Sequence, residues 1–253
     1  MKIAVPVKFV PDLVEELTID PSGIALDTSW LRLIINEFDD HSVEQAILLK
    51  ERGGGQVIVA MTEAEGADDF LFASAAKGAD QLIKLTGDFS ASNNHALARA
   101  YADLLKELQP DLILTGVQAH NDLDGSVGPL LAEYLGMPYV GYVSGLTAAD
   151  NKVTVRKEYA GGLIAEMEVN LPAVFGIQAA EQPPRYVAYS KIRQVMGTAK
   201  IEERAVADLD LSGGVTVSRM FQPEVAERAT MIEGSPEEVA DKIIGIFKEL
   251  GTL

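Results

Sequence analysis

Short apolar runs alternate with longer segments of helical period along the first half of the chain, and no other feature restricts the fold as much. Ile3 to Val7, Gln56 to Met61, Gln81 to Leu85 and Leu112 to Leu114 read as buried strands. Between them lie helical patterns. One carries Val43, Ala46, Ile47 and Lys50 and breaks at Gly53-Gly54-Gly55; another runs from about Ala67 to Lys77 and ends at Gly78. The clearest spans about Asn93 to Leu108, with Leu97, Ala100, Tyr101, Leu104 and Leu108 on one face. Strands and helices in this alternation imply an α/β fold: a mostly parallel sheet with helices on both faces. Pro6, inside the first strand, argues for an edge position, a bulge or a strand terminus.

After Tyr142 the period changes to two. Val153 and Val155, then Met167, Val169 and Leu171, alternate with polar residues around a Gly161-Gly162 turn, which predicts a β-hairpin with one wet face. Pro172 ends it, and Ala173 to Ile177 reads as another buried strand. From Gln182 to about Gly214 there is little core-forming pattern, which suggests a surface loop or an arm lying on a partner. A terminal helix is well specified, with Ser235 as N-cap, Pro236 in the first turn, and Val239, Ile243, Phe247 and Leu250 as its apolar stripe. The expected division is 1–200 as the α/β nucleotide-binding domain and 201–253 as a C-terminal arm with its helix.

The segment from Asp111 to Leu130 combines a strand, a polar Gly-containing loop and a helix with Val127, Leu130, Leu131 and Tyr134 on one face. Ser126 or Asp124 is a candidate N-cap, and Pro129 fits the first helical turn. Free amides and the positive end of the helix dipole could meet a phosphate there. A plain strand-to-helix turn explains the glycines equally well, and the loop matches neither GxGxxG nor the P-loop. In such sheets ligands lie at the carboxyl ends of the strands, which makes Pro6, Asn36 to Asp39, Thr62 and Gln118 to Gly128 candidates to surround one crevice.

With 21 Lys+Arg against 38 Asp+Glu the chain carries a net charge of −17, so nucleic acid and direct insertion into an anionic membrane are not expected. The absence of cysteine excludes a disulfide framework, a thiolate metal site and a Cys nucleophile. His41, His95 and His120 fall in separate segments, which argues against a His-rich metal site. No apolar run approaches the roughly 20 residues of a membrane span, and the first residues lack the pattern of a signal peptide. A cytoplasmic protein is expected.

Side-chain chemistry is sparse. Ser126 has no evident His and acid to activate it. Asp122 and Asp124 could hold Mg²⁺ beside a phosphate, but capping or solvating the loop is the preferred reading. Glu166 and Glu168 are explained by a solvated hairpin edge. These residues suggest a binding module rather than an enzyme.

The hairpin and the strand after it, Val153 to Val174, resemble the signature of the electron transfer flavoprotein beta subunit. Val7-Lys8-Phe9-Val10-Pro11-Asp12, Asn36-x-Phe38, Gln118-Ala119 leading to Gly128, and Pro184-Arg185-Tyr186 match in the same order. The resemblance implies a Rossmann-like α/β fold of the adenine-nucleotide type, in a heterodimer with an alpha subunit that carries most of the FAD site. It implies AMP in the beta site, or a second FAD in electron-bifurcating members, where NADH oxidation would enter. It maps cofactor contacts onto Pro6, Asn36, Glu37, Phe38, Asp39 and Thr62, and onto Gln118, Ala119, Asp122, Asp124, Gly125, Ser126, Val127 and Gly128. No residue is assigned a catalytic or metal-binding role. The arm would pack on the alpha subunit. The redox partners implied are a flavin dehydrogenase and a quinone reductase or other acceptor. Pro6 and Glu37 depart from the family's usual Ala and Pro; Glu37 and Asp39 add negative charge near the expected phosphate. Gln182-Pro183 and Gly197 to Lys200 depart from the usual docking segment, which points to altered redox partners. A stand-alone ATP-binding stress-type protein is the remaining alternative; the Ser-Gly-Gly-x-Asp-Ser loop of ATP pyrophosphatases is missing.

Overall fold

The computed structural model describes residues 1–149, 151–224 and 229–253. In chain order, β1 (Lys2–Val7), β2 (Phe9–Pro11) and β3 (Leu33–Ile35) precede α1 (Glu37–Gly53). Then β4 (Gln56–Thr62), α2 (Ala67–Lys77), β5 (Gln81–Thr86), α3 (Asn94–Leu108), β6 (Leu112–Gly116) and α4 (Val127–Leu135) alternate. The second half runs β7 (Tyr139–Ala149), β8 (Lys152–Tyr159), β9 (Leu163–Asn170), β10 (Ala173–Ile177), α5 (Tyr189–Met196), β11 (Ile201–Ala205) and α6 (Pro236–Glu249). Among the described residues the main sheet has nine strands in the order β11-β5-β4-β1-β6-β10-β7-β8-β9. From β11 to β7 all pairings are parallel, and β7, β8 and β9 continue antiparallel. The short β2 and β3 pair separately.

Alternation along each strand divides the core in two. Ile3, Val5 and Val7 face Val43, Ala46, Ile47, Ala67 and Leu71 of α1 and α2. Ala4, Ile58, Ile83, Ile113 and Val174 face the other way, onto Leu97, Tyr101, Leu105 and Leu131 of α3 and α4. Burying each large aliphatic side chain contributes about 1.5–3 kcal/mol, so strand identity here is set by two apolar faces at once.

The expected α/β sheet with helices on both faces is what forms, along with the hairpin and the terminal helix, whose Ser235 and Glu238 complete a capping box. Several elements go beyond the sequence reading, the β2–β3 pair and β7 among them. The stretch after Gln182 is not irregular throughout: it forms α5, and then β11, which pairs in register with β5 from Ile201↔Leu82 to Ala205↔Thr86. Pro6 lies in a central strand, not at an edge. It is tolerated because β1 pairs with β6 only at Ile3 and Ala4 before the two strands diverge.

That divergence positions the site. The chain moves from β1 outward through β4 and β5, then crosses by way of α3 to β6 on the opposite side of β1. The order therefore reverses between β1 and β6, and a crevice opens there beyond their carboxyl ends.

Candidate functional site

A narrow cleft occupies this crevice. Of the residues singled out from sequence, Pro6, Asn36, Asp39, Gln118, Ala119, Asp122, Ser126 and Val127 line it. Gly125 faces an adjoining groove that shares Gln118, Ala119, Asp122 and Ser126 with the cleft. Glu37, Phe38, Thr62, Asp124 and Gly128 stand outside the lining of the cleft. Phe38 packs behind it, 2.8 Å from where a β-carbon on Gly116 would lie. Glu37 is exposed at the start of α1, and Thr62 ends β4.

The walls are pinned by carboxylates rather than left charged and open. Asp39 is buried; its Oδ1 accepts the Gly116 N–H at 2.6 Å and its Oδ2 the Lys8 N–H at 2.9 Å. It therefore ties α1 to β6 and to Lys8, the residue that follows β1. Burial pushes its carboxyl up to about 6, against the opposing pull of those two amides. Asp122 accepts the Ala119 N–H at 2.7 Å and pairs with Lys8 Nζ at 2.9 Å. Asn94 receives Lys8 Nζ at 2.9 Å and donates to Asp122 at 2.7 Å and to the Gly125 carbonyl at 2.6 Å. Asp122 thus closes and neutralises the loop, as the capping reading expects. Among the described residues no group of three or more His, Cys, Asp or Glu could hold a metal ion.

The mouth of α4 is different. Ser126 occupies the N-cap position, but its side chain accepts no hydrogen bond from the helix, and the first turn holds no acidic residue. First-turn amides have no partner within a helix, and Pro129 contributes none, so those of Val127 and Gly128 mark the opening. Below them Thr115, 2% exposed, has a buried Oγ1 with no hydrogen-bond partner among the described residues. That hydroxyl lies 2.6 Å from where a β-carbon on Gly128 would stand, with the Tyr139 ring at 3.0 Å from the same point. Only glycine allows strand, helix and ring to approach so closely. Gly125, at φ +99°, has open space around it.

Several contributors had no clear sequence signal. Lys8, Leu97, Tyr101 and Thr115 line the cleft. Tyr101 is fully buried and donates to the Val7 carbonyl at 2.6 Å. Beyond Gln118 the wider adjoining groove is bordered by Tyr139, Tyr142, Lys157 and Tyr159. Lys157 Nζ sits 5.6 Å from the Tyr142 ring centroid and 5.4 Å from that of Tyr159. Tyr142 adopts φ +60° and donates to Gln118 Oε1 at 3.2 Å.

An open, doubly covered α/β sheet whose crevice lies at the reversal of strand order is the class this architecture defines. Sequence comparison narrows the class. The electron transfer flavoprotein domain model matches residues 25–209. The electron transfer flavoprotein subunit beta of Methylophilus methylotrophus is 36% identical, with 98% of each chain covered. That of Syntrophomonas wolfei is 31% identical over 96% of this chain and 94% of its own, and the mitochondrial beta subunit of Oryza sativa subsp. japonica is 28% identical over 96% and 97%. The chain belongs to the electron transfer flavoprotein family and is similar to its beta subunits along nearly its whole length.

Proposed function

We propose that this chain is the nucleotide-bearing beta subunit of a heterodimeric electron transfer flavoprotein, a cytoplasmic carrier between a flavin dehydrogenase and an acceptor such as a quinone reductase. The observation that carries the nucleotide assignment is the uncapped N-terminus of α4 with the orphan Thr115 hydroxyl beneath it. A buried hydroxyl without a partner is costly, and a phosphate oxygen would supply one while the Val127 and Gly128 amides meet its charge. Two of the carboxylates nearby do not oppose this, since Asp39 is taken up by two amides and Asp122 by Lys8, and Asp124 stands outside the lining of the cleft. Asn36 and Gln118, joined by a 2.9 Å hydrogen bond from Asn36 Nδ2 to the Gln118 carbonyl, would flank the adenine.

FAD, held mainly by the alpha subunit, would supply the one- and two-electron chemistry. This chain's residues would bury, orient and exclude water. The exposed apolar side chains of α6, Ile243, Ile246, Phe247 and Leu250, together with the arm, would pack on that subunit.

The large aromatic groove continuous with the cleft favours a second reading, in which the beta site takes a second FAD in a bifurcating, NADH-oxidising complex. Cofactors released by heat from protein coexpressed with its alpha subunit separate the two. One FAD and one AMP per heterodimer support the ordinary carrier, and two FAD without AMP support bifurcation. Bound ATP without flavin or an alpha partner would overturn both. Gly125→Asp places a charged side chain on a left-handed backbone at the loop and is expected to expel the nucleotide; unchanged nucleotide content would refute the mapping.

A further inference from the structure

The start of α3 grips two segments that are distant in sequence. Asn94 holds the Gly125 carbonyl and Asp122, as described. Asn93 caps α3 by accepting the Ala96 N–H at 2.8 Å, and its Nδ2 donates to the carbonyls of Leu211 at 3.0 Å and Gly213 at 3.1 Å. Arg99 adds a second hold on the same segment. Its Nη2 donates to the Asp210 carbonyl at 3.2 Å, to the Ser212 carbonyl and to Ser212 Oγ at 3.1 Å, and its Nε lies 3.1 Å from the Asp210 carboxylate. The guanidinium is itself fixed by Tyr134, whose hydroxyl accepts from Nη1 at 2.8 Å. The segment ends against the loop: Gly214, at φ +77°, lies so close to Asp124 that a β-carbon would run into its carboxylate, whose Oδ2 is buried without a hydrogen-bond partner.

We propose that Asp210–Gly214 is a latch that holds the 118–128 loop in its nucleotide-binding shape, with Arg99 and Gly214 as positioning residues. Neither lines the cleft, so their effect on a ligand passes through Asp124, Asn93 and Asn94. The loop has little core of its own, since Asn121, Leu123 and Gly125 are exposed. Its ordering therefore depends on contacts from the side. Releasing the latch returns conformations to the loop, and binding must then remove them. Linkage makes the effect reciprocal: the factor by which the latch strengthens nucleotide binding is the factor by which nucleotide seats the latch. The proposal rests on the nucleotide reading above.

The test is calorimetric titration of AMP into the nucleotide-free full chain, paired with amide hydrogen exchange at Leu211–Gly214. Arg99→Met and Gly214→Ala are each expected to raise the Kd for AMP about tenfold. AMP should slow exchange at those amides in the wild type by a similar factor, and not in Arg99→Met. Arg99→Lys keeps the charge but loses the fork; it should fall between the two, and it carries the test if the methionine variant fails to fold. Affinities within twofold of wild type, with exchange at Leu211–Gly214 accelerated, would overturn the latch and leave the nucleotide reading intact. A wild-type chain that takes up no AMP would overturn that reading and the latch with it.

Discussion

Asp39 is read from sequence as a charge near a ligand, and the structure makes it first a pin between strands. Its carboxyl is raised by burial to about 6, so in the folded chain it holds a proton over a window where the unfolded chain has released it. The stability it contributes is fully present below about pH 3.8 and is lost as pH rises through about 6, a swing of about 3 kcal/mol. Urea melts of wild type and Asp39→Asn should show the difference, wild type minus variant, falling from about pH 4 to about pH 7; a rising difference would mean that the two amides outweigh burial. Thr115 allows a sharper test. Because its hydroxyl has no partner, Thr115→Val should leave stability unchanged or raise it by up to about 1 kcal/mol, yet weaken nucleotide binding. A stability loss at unchanged affinity would remove Thr115 from the site. Lys8 and Thr115 escape a reading by sequence because their role comes from strands meeting in space. The Gln118–Gly128 loop is legible because a strand, glycines and a helix start are local signals.

Element by element, β1, β4, β5 and β6 and the helices of the first half follow their sequence patterns to within a few residues, because each carries the period of the faces it buries, whereas the short β2–β3 pair carries too little pattern to be read. β11 does not announce itself. Ile201-Glu202-Glu203-Arg204-Ala205 lacks an apolar alternation, and its place is secured by backbone pairing and by polar contacts such as Lys84 to Glu203 at 3.0 Å and Gln81 to Glu202 at 2.8 Å. The segment before α5 is fastened to α1 through Arg185. Its Nε and backbone N–H donate to Glu44 at 2.8 and 2.9 Å, while Nη1 and Nη2 donate to Glu51 at 2.6 and 3.0 Å. Glu44 is 2% exposed at its side chain. Arg185→Met would leave that buried carboxylate with one backbone N–H and no counter-charge and should cost about 3 kcal/mol, with Glu44→Leu added to it restoring most of the loss. Chemical denaturation of the single and double variants decides this; equal destabilisation in both would mean that the arginine acts through packing alone.

At the scale of the molecule, the sheet and the cleft form one body and the last residues another kind of surface. α6 buries none of its side chains in this chain. Removing 215–253, which spares both β11 and the latch, should leave the thermal midpoint of the α/β core within a few degrees, since few contacts are lost. Its assembly with an alpha subunit should weaken, as gel filtration of the coexpressed pair would reveal; undiminished assembly would assign the tail to some other role.

Among the described residues the nine-stranded sheet ends in two margins that no further strand covers. One is β11, with Glu202, Glu203 and Arg204, and the other is β9, where Glu166 and Glu168 alternate with apolar residues. A second copy approaching either margin to extend the ladder would bring together two chains that each carry a net charge of −17, at margins where Glu166, Glu168 and Glu202 already pair with Arg156, Lys152 and Arg204. Long-range repulsion thereby disfavours open-ended stacking of copies at both rims.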